Sequence, residues 1–203
     1  MRMKPMRVPA VLAALALAAC GEASAPAAER SHAPEAVEPA PLDPNADAAE
    51  QAALASCGPV TAQGYCGVVF GMTPADARAK FPVGLEMYSG ADPSDANRCF
   101  ELFAIAPVQG VSFLVEMNKV GRLDVMSAGA RTDDGFGVGT AAADIKAKYG
   151  DDVREQPNKY EEEISELVLS EGAAKFVFEI QDGAVRAWRA GVLPTIDYVE
   201  HCS

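Results

Sequence analysis

The sequence predicts an α+β fold in which two tandem helix-plus-antiparallel-sheet units form one disulfide-stapled domain. Three observations predict it. Six short segments alternate apolar and polar residues with the period of two that a half-buried strand requires; they lie at about 99–105, 111–117, 120–126, 164–169, 174–180 and 184–190. A twelve-residue phrase running from Gly71 to Pro82 recurs without gaps from Gly139 to Gly150. Finally, Cys57, Cys66, Cys99 and Cys202 remain as an even set once an N-terminal cysteine, Cys20, is set aside.

The chain begins with a positive segment carrying Arg2, Lys4 and Arg7, followed by the apolar stretch Val8–Ala19. Twelve residues are too few for a transmembrane helix, which needs about 20, but suit the apolar region of a cleavable signal. Leu17-Ala18-Ala19-Cys20, followed by Gly21, resembles a bacterial lipobox. The resemblance implies that residues 1–19 are a signal peptide and that the Cys20 thiol receives a diacylglycerol. It also implies that the freed amine is acylated, as with palmitate. More than one acyl chain is what stable anchoring in a bilayer takes. Gly21 in place of Asp resembles the outer-membrane sorting class, so the expected address is the periplasmic side of the outer membrane.

Residues 20–56 hold thirteen alanines, five prolines, seven acidic residues and one arginine, with no aromatic side chain. Such a segment buries too little apolar surface to offset chain entropy, and it reads as a disordered tether. Ala46 to Ala55 has the propensity for a short helix. Residues 57–203 have the size of one domain.

Over the full 203 residues, 17 basic and 29 acidic side chains give a net charge of -12. That balance excludes general binding to phosphate backbones and polybasic attachment to anionic lipid. Two histidines, His32 and His201, leave little room for a histidine relay or a multi-histidine metal site. No catalytic residue, metal or cofactor is expected.

In an oxidising compartment the four domain cysteines imply two disulfides. Three connectivities are open. Cys57–Cys66 is preferred because Gly58-Pro59 and Gln63-Gly64 let the chain close locally. Cys99–Cys202 would then hold the chain end, and as the longer loop it should matter more for stability.

Within the duplicated phrase, Gly71-Met72-Thr73-Pro74-Ala75-Asp76 and Gly139-Thr140-Ala141-Ala142-Ala143-Asp144 each lead into a short helix. Thr73 is placed to cap, with Pro74 in the first turn. Ala77 with Phe81, and Ile145 with Tyr149, put apolar groups one turn apart. Downstream, Phe113-Leu114-Val115-Glu116-Met117 matches Phe176-Val177-Phe178-Glu179-Ile180, and Ala128-Gly129 is paired with Ala190-Gly191. The repeat units span about 66–128 and 132–203. Asp182-Gly183 is a hairpin turn signal.

The helix phrase from Gly71, repeated from Gly139, resembles that of small secreted proteins related to the β-lactamase inhibitory protein and of the SmpA/OmlA (BamE-like) lipoproteins. The resemblance implies repeated helix-plus-sheet units and supplies no binding residues. Those repeats usually carry a further helix before the glycine, whereas Cys66-Gly67-Val68-Val69-Phe70 reads as a strand.

Several constellations have a plain structural explanation. The glycine run Asp133–Thr140 matches neither a phosphate loop nor a dinucleotide fingerprint, and reads as a turn between the units. Asp133 and Asp134 lack calcium-loop spacing. Tyr160–Glu166 reads as a solvated edge. His201 reads as a surface residue beside a disulfide. Trp188 and Arg186 are the candidate binding residues, with core packing an equal explanation for Trp188.

The expected function is that of a non-enzymatic envelope lipoprotein whose duplicated sheet binds or scaffolds another envelope protein. A carboxylate-dependent hydrolase of envelope glycan and a sugar- or peptide-binding module are the alternatives.

Overall fold

The structure, a computed structural model, describes residues 44–87 and 98–202. The signal segment, Cys20, His32 and the tether up to residue 43 lie outside the described residues. The elements run α1 (Pro44–Leu54), β1 (Gly64–Tyr65), β2 (Val68–Val69), α2 (Pro74–Lys80), β3 (Leu85–Met87), β4 (Phe100–Ala104), β5 (Val111–Glu116) and β6 (Lys119–Val125). They continue with α3 (Ala142–Tyr149), β7 (Val153–Pro157), β8 (Ser165–Glu171), β9 (Ala174–Gln181) and β10 (Ala184–Val192). Among the described residues, β3 to β10 form one sheet in the order β3-β4-β5-β6-β10-β9-β8-β7, with every pairing antiparallel. Each half is a helix followed by a four-stranded meander, and the last strands of the two meanders pair at the centre. The α+β class and the tandem arrangement of helix and sheet are as the sequence predicts.

The duplication extends into hydrogen bonds. The Gly71 amide donates to the Val120 carbonyl at 2.7 Å, and the Val120 amide returns a bond to Met72 at 2.8 Å. In the second half, Gly139 donates to Val185 at 2.8 Å and Val185 returns a bond to Thr140 at 2.9 Å. Gly71 and Gly139 have φ of +90° and +86°, a region that favours glycine, which explains why both copies of the phrase open on it. One residue beyond each valine the last strand bulges, leaving Gly121 unmatched against β5 and Arg186 unmatched against β9. Three residues further on, Asp124 and Arg189 stand opposite one another across the seam. They occupy matching positions in the two units, so the pseudo-twofold relation passes between them.

The helices cover one face. Ala77 and Ile145, at matching positions of α2 and α3, are completely buried against it. Beneath them Phe81 meets Phe113 edge-on, and Trp188 stacks with Phe178 at a centroid distance of 5.7 Å. Alternation within each strand puts Phe113, Val115, Leu123, Phe178 and Trp188 on this side. It puts Ser112, Glu116, Arg122, Asp124, Glu166, Glu179 and Arg189 on the other. Thr73 caps α2 by accepting from the Asp76 amide at 3.2 Å, while Ala141 gives α3 no side-chain cap.

Both preferred disulfides form, Cys57–Cys66 across 9 residues and Cys99–Cys202 across 103. Four sequence expectations need correction. The domain begins before residue 57, because α1 packs on it: Leu54 joins the core, and Glu50 is buried and accepts from Ser127 Oγ at 2.6 Å. Of Cys66–Phe70 only Val68–Val69 is strand, since Cys66 (φ 50°) and Gly67 (φ 83°) form the turn of a two-residue ladder. Ala128-Gly129 lies beyond the end of β6 while Ala190-Gly191 lies inside β10, so that pairing is not a repeat correspondence. Finally, β3 and β7, the first strand of each unit, were not foreseen. They are the two edges, three and five residues long, and Leu-Glu-Met and Val-Arg-Glu-Gln-Pro carry too little alternation to register.

Candidate functional site

The face without helices carries the charged groups. Arg189 is buried; its Nη2 donates to Glu166 Oε1 and its Nη1 to Glu179 Oε1, each at 2.9 Å. Arg122 is also buried, and its Nε donates to Asp124 Oδ2 at 2.8 Å. Charges taken out of water this far must be paired and hydrogen-bonded, and these are. Glu166 was expected on a solvated edge. It is instead 3 % exposed, accepting also from Gln156 Nε2 at 2.8 Å, because β7 lies outside β8 and takes the edge position.

At the seam between β6 and β10 this face opens into a cleft of about 480 Å³. Asp124, Glu179, Arg186 and Arg189 belong to its sheet wall. Tyr160 and Glu161 come from the loop before β8, Met126 follows β6, and Val199 and His201 come from the C-terminal segment. The bulge that leaves Arg186 unmatched also turns it away from the core-facing row of Trp188 and Ala190. Its Nη2 donates to Glu161 Oε1 at 2.8 Å and its Nε to Glu179 Oε2 at 3.3 Å, bridging loop and sheet. The Glu161 partner holds the Arg186 guanidinium above its ordinary pKa.

Both candidate binding residues border the cleft, but they differ in exposure. Arg186 reaches the cleft with about a third of its side chain in solvent. Trp188 is 2 % exposed and stacked between Phe176 and Phe178, so the structure places it in the core and removes it as an exposed anchor. Its indole Nε1 has no hydrogen-bond partner among the described residues. The exposed apolar groups at the cleft are Met126 and Tyr160, 61 % and 57 % in solvent, with the Lys159 ammonium 4.9 Å from the Tyr160 ring centre. Neither was singled out for binding from the sequence. Met126 closes a strand-like run, and Tyr160 sits among charges that read as solvated.

His201, beside the Cys99–Cys202 disulfide as expected, lies near Asp124 and Glu101. The ligating atoms of the three fall within 4.8 Å of one another, a spacing a cation could use. The Arg122 guanidinium already supplies the positive charge there, with Nη2 3.2 Å from His201 Nδ1. His201 Nδ1 lies 2.7 Å from Glu101 Oε1, and that hydrogen bond raises the imidazole pKa above its ordinary value. Burial pushes the Asp124 carboxyl up, against the pull of Arg122.

The glycine run is bound to itself. Arg131 Nη1 donates to the Gly135 carbonyl at 3.0 Å, and Thr140 Oγ1 accepts from the Gly137 amide at 3.0 Å. Asp134 accepts from Tyr149 Oη at 2.7 Å and pairs with Lys148 Nζ at 2.6 Å. These contacts account for the segment as a turn between the units.

No protein-family model matches the chain, and no curated protein matches it. Among solved structures it is similar to the crystal structure of the uncharacterized protein yfeY from Escherichia coli. The identity is 15 % over 66 % of this chain and 99 % of that one, with a TM-score of 0.45.

Proposed function

We propose that the chain is a lipid-anchored envelope protein and that its domain is a non-enzymatic docking module for another envelope protein. The observation that carries this reading is the makeup of the central cleft. Met126 and Tyr160 stand exposed around it and Arg186 reaches it with about a third of its side chain in solvent; these are residue types enriched at protein interfaces and, for Tyr and Arg, at their energetic hot spots. Beneath them the charged groups are already paired with one another, which leaves a preorganised floor.

Two disulfides favour an oxidising compartment, and the segment from Arg2 to Gly21 supplies export and acylation at Cys20. On this reading the domain faces the periplasm from the outer membrane, tethered through residues that follow Cys20. A glycan hydrolase is less well supported, because Glu161 and Glu179, two of the carboxylates lining the cleft, are both held by Arg186.

The test is in-cell crosslinking from a photoreactive amino acid at position 126, comparing the otherwise unchanged chain with Tyr160→Ala and Arg186→Glu. A discrete crosslinked protein that falls at least about tenfold in both variants is the expected result, the loss of one or two interface hot spots. Crosslinking indifferent to both changes, or turnover of cell-wall fragments abolished by Glu179→Gln, would overturn the reading.

A further inference from the structure

The C-terminal residues 193–202 cross the helix-free face as a strap, and the contacts that hold the strap are those that hold a bound peptide. Its single turn of 3-10 helix spans Thr195–Asp197. Arg122 Nη1 donates to the Thr195 carbonyl at 3.2 Å and to the Tyr198 carbonyl at 2.9 Å, while Arg189 Nε donates to the Ile196 carbonyl at 3.3 Å. Every peptide offers carbonyls, so the two buried arginines give affinity with no demand on sequence.

Side chains add the selectivity. Ile196 is completely buried against Val168 and Val177, a small apolar cluster separate from the main core. Asp197 accepts two bonds from Lys175 Nζ, at 2.6 and 2.8 Å. Tyr198 Oη donates to the Glu116 carboxylate at 3.0 Å. Thr195 rests on the bulge at Gly121, where a Cβ would run into its side chain. Lys175 supplies the cation for the strap's acidic side chain, while Arg122 is matched by Asp124 and Arg189 by Glu166 and Glu179, so the seat, which adjoins a recess of about 270 Å³, selects through individual pairs rather than through net charge.

We propose that the seat under the strap is a peptide-binding site, filled in cis by the strap. In trans it takes a partner segment presenting an aliphatic, an acidic and a tyrosine side chain in succession. This deepens, and rests on, the reading of the helix-free face as a docking surface. Exchange breaks no covalent bond, because the strap lifts as a loop while β10 and the Cys99–Cys202 disulfide hold its two ends. A tethered occupant competes at an effective concentration on the order of millimolar. The seat is therefore closed to dilute peptides and open to a partner concentrated on the same membrane.

The probe is a fluorescently labelled peptide of the sequence Leu193–His201, titrated by anisotropy against the full-length chain and against full-length Ile196→Gly/Tyr198→Ala, whose strap is weakened. The variant is expected to bind at least about tenfold more tightly than the unaltered chain, because its cis competitor is gone. Adding Lys175→Glu to the variant should remove that gain, and a peptide carrying Asp197→Lys should restore it. Equal binding to both chains, or indifference to the charge swap, overturns the proposal. If the double variant loses its circular dichroism signature, full-length Asp197→Lys replaces it. That exposed change weakens only the strap: tighter binding than to the unaltered chain is expected, equal binding overturns the proposal, and the charge-swapped peptide is left out because Lys175→Glu would re-pair the altered strap in cis. Failure of the peptide while the Tyr160- and Arg186-dependent crosslink persists sinks the strap proposal alone; loss of both sinks the docking function as well.

Discussion

The two faces of the sheet share the same strands and differ in almost everything else. Under the helices, Phe113, Leu123, Phe178 and Trp188 interlock in one apolar cluster. Across the sheet, Arg122, Asp124, Glu166, Glu179 and Arg189 are bound to one another and to the strap. The first face gains stability in proportion to the apolar area it removes from water. The second gains little net stability, because pairing offsets a large cost of desolvation, and it gives orientation instead. A sheet built this way folds on one side and recognises on the other.

Trp188 measures the first face most severely. Trp188→Ala should cost about 5 kcal/mol, the upper range for deleting a large aromatic from a core, read as a loss of denaturant midpoint at unchanged slope. Trp188→Phe should cost much less, since the lost contacts are partly offset by removing an indole N–H that has no partner among the described residues. If the alanine variant is nearly neutral, the helix-covered face is not where the stability lies.

On the opposite face, Glu166→Ala removes the partner of Arg189 Nη2 and should destabilise by about 3 kcal/mol, as breaking a buried ion pair from one side does. Replacing both, as Glu166→Leu with Arg189→Met, should recover most of that loss while weakening the grip on the Ile196 carbonyl. A double variant worse than the single would mean that this face is a stability device after all.

The smallest effect is that of pH. The His201 pKa is raised in the folded chain, first through its bond to Glu101. The stability this contributes is therefore complete below the unfolded value of about 6.5 and is lost as pH rises through the folded value. Asp124, raised by burial, acts with the same sign. Amide exchange at Ile196 should accelerate between about pH 6 and pH 8 beyond its intrinsic base dependence, and His201→Gln should abolish the excess. Exchange that slows over that range, or an excess that survives the substitution, would refute the assignment.

Much of this architecture was legible because it is written in local signals. Glycine before each helix marks a positive φ, Thr73 and Pro74 mark a helix start, and alternation marks the inner strands. The short edges β3 and β7 were hidden because three to five residues with charges or proline leave no periodic trace. The site was less legible. The bulge at Arg186 shifts the alternation by one residue, so the sequence puts Arg186 and Trp188 on one face while the folded chain divides them between cleft and core. Glu166 was assigned to an edge because the strand outside it was invisible.

Amino-acid order alone determined the duplication and the α+β class, since each depends on neighbours or on a repeated pattern within the chain, whereas the folded chain selected Cys57–Cys66 with Cys99–Cys202 from three connectivities. Tertiary structure alone decided that residues 193–202 lie over the sheet and that the acidic and basic groups of the inner strands are buried partners. Those outcomes depend on which strands become adjacent at the seam. Groups tens of residues apart in sequence, such as the Arg122 guanidinium and the Tyr198 carbonyl, acquire a relationship only when the two meanders close against each other.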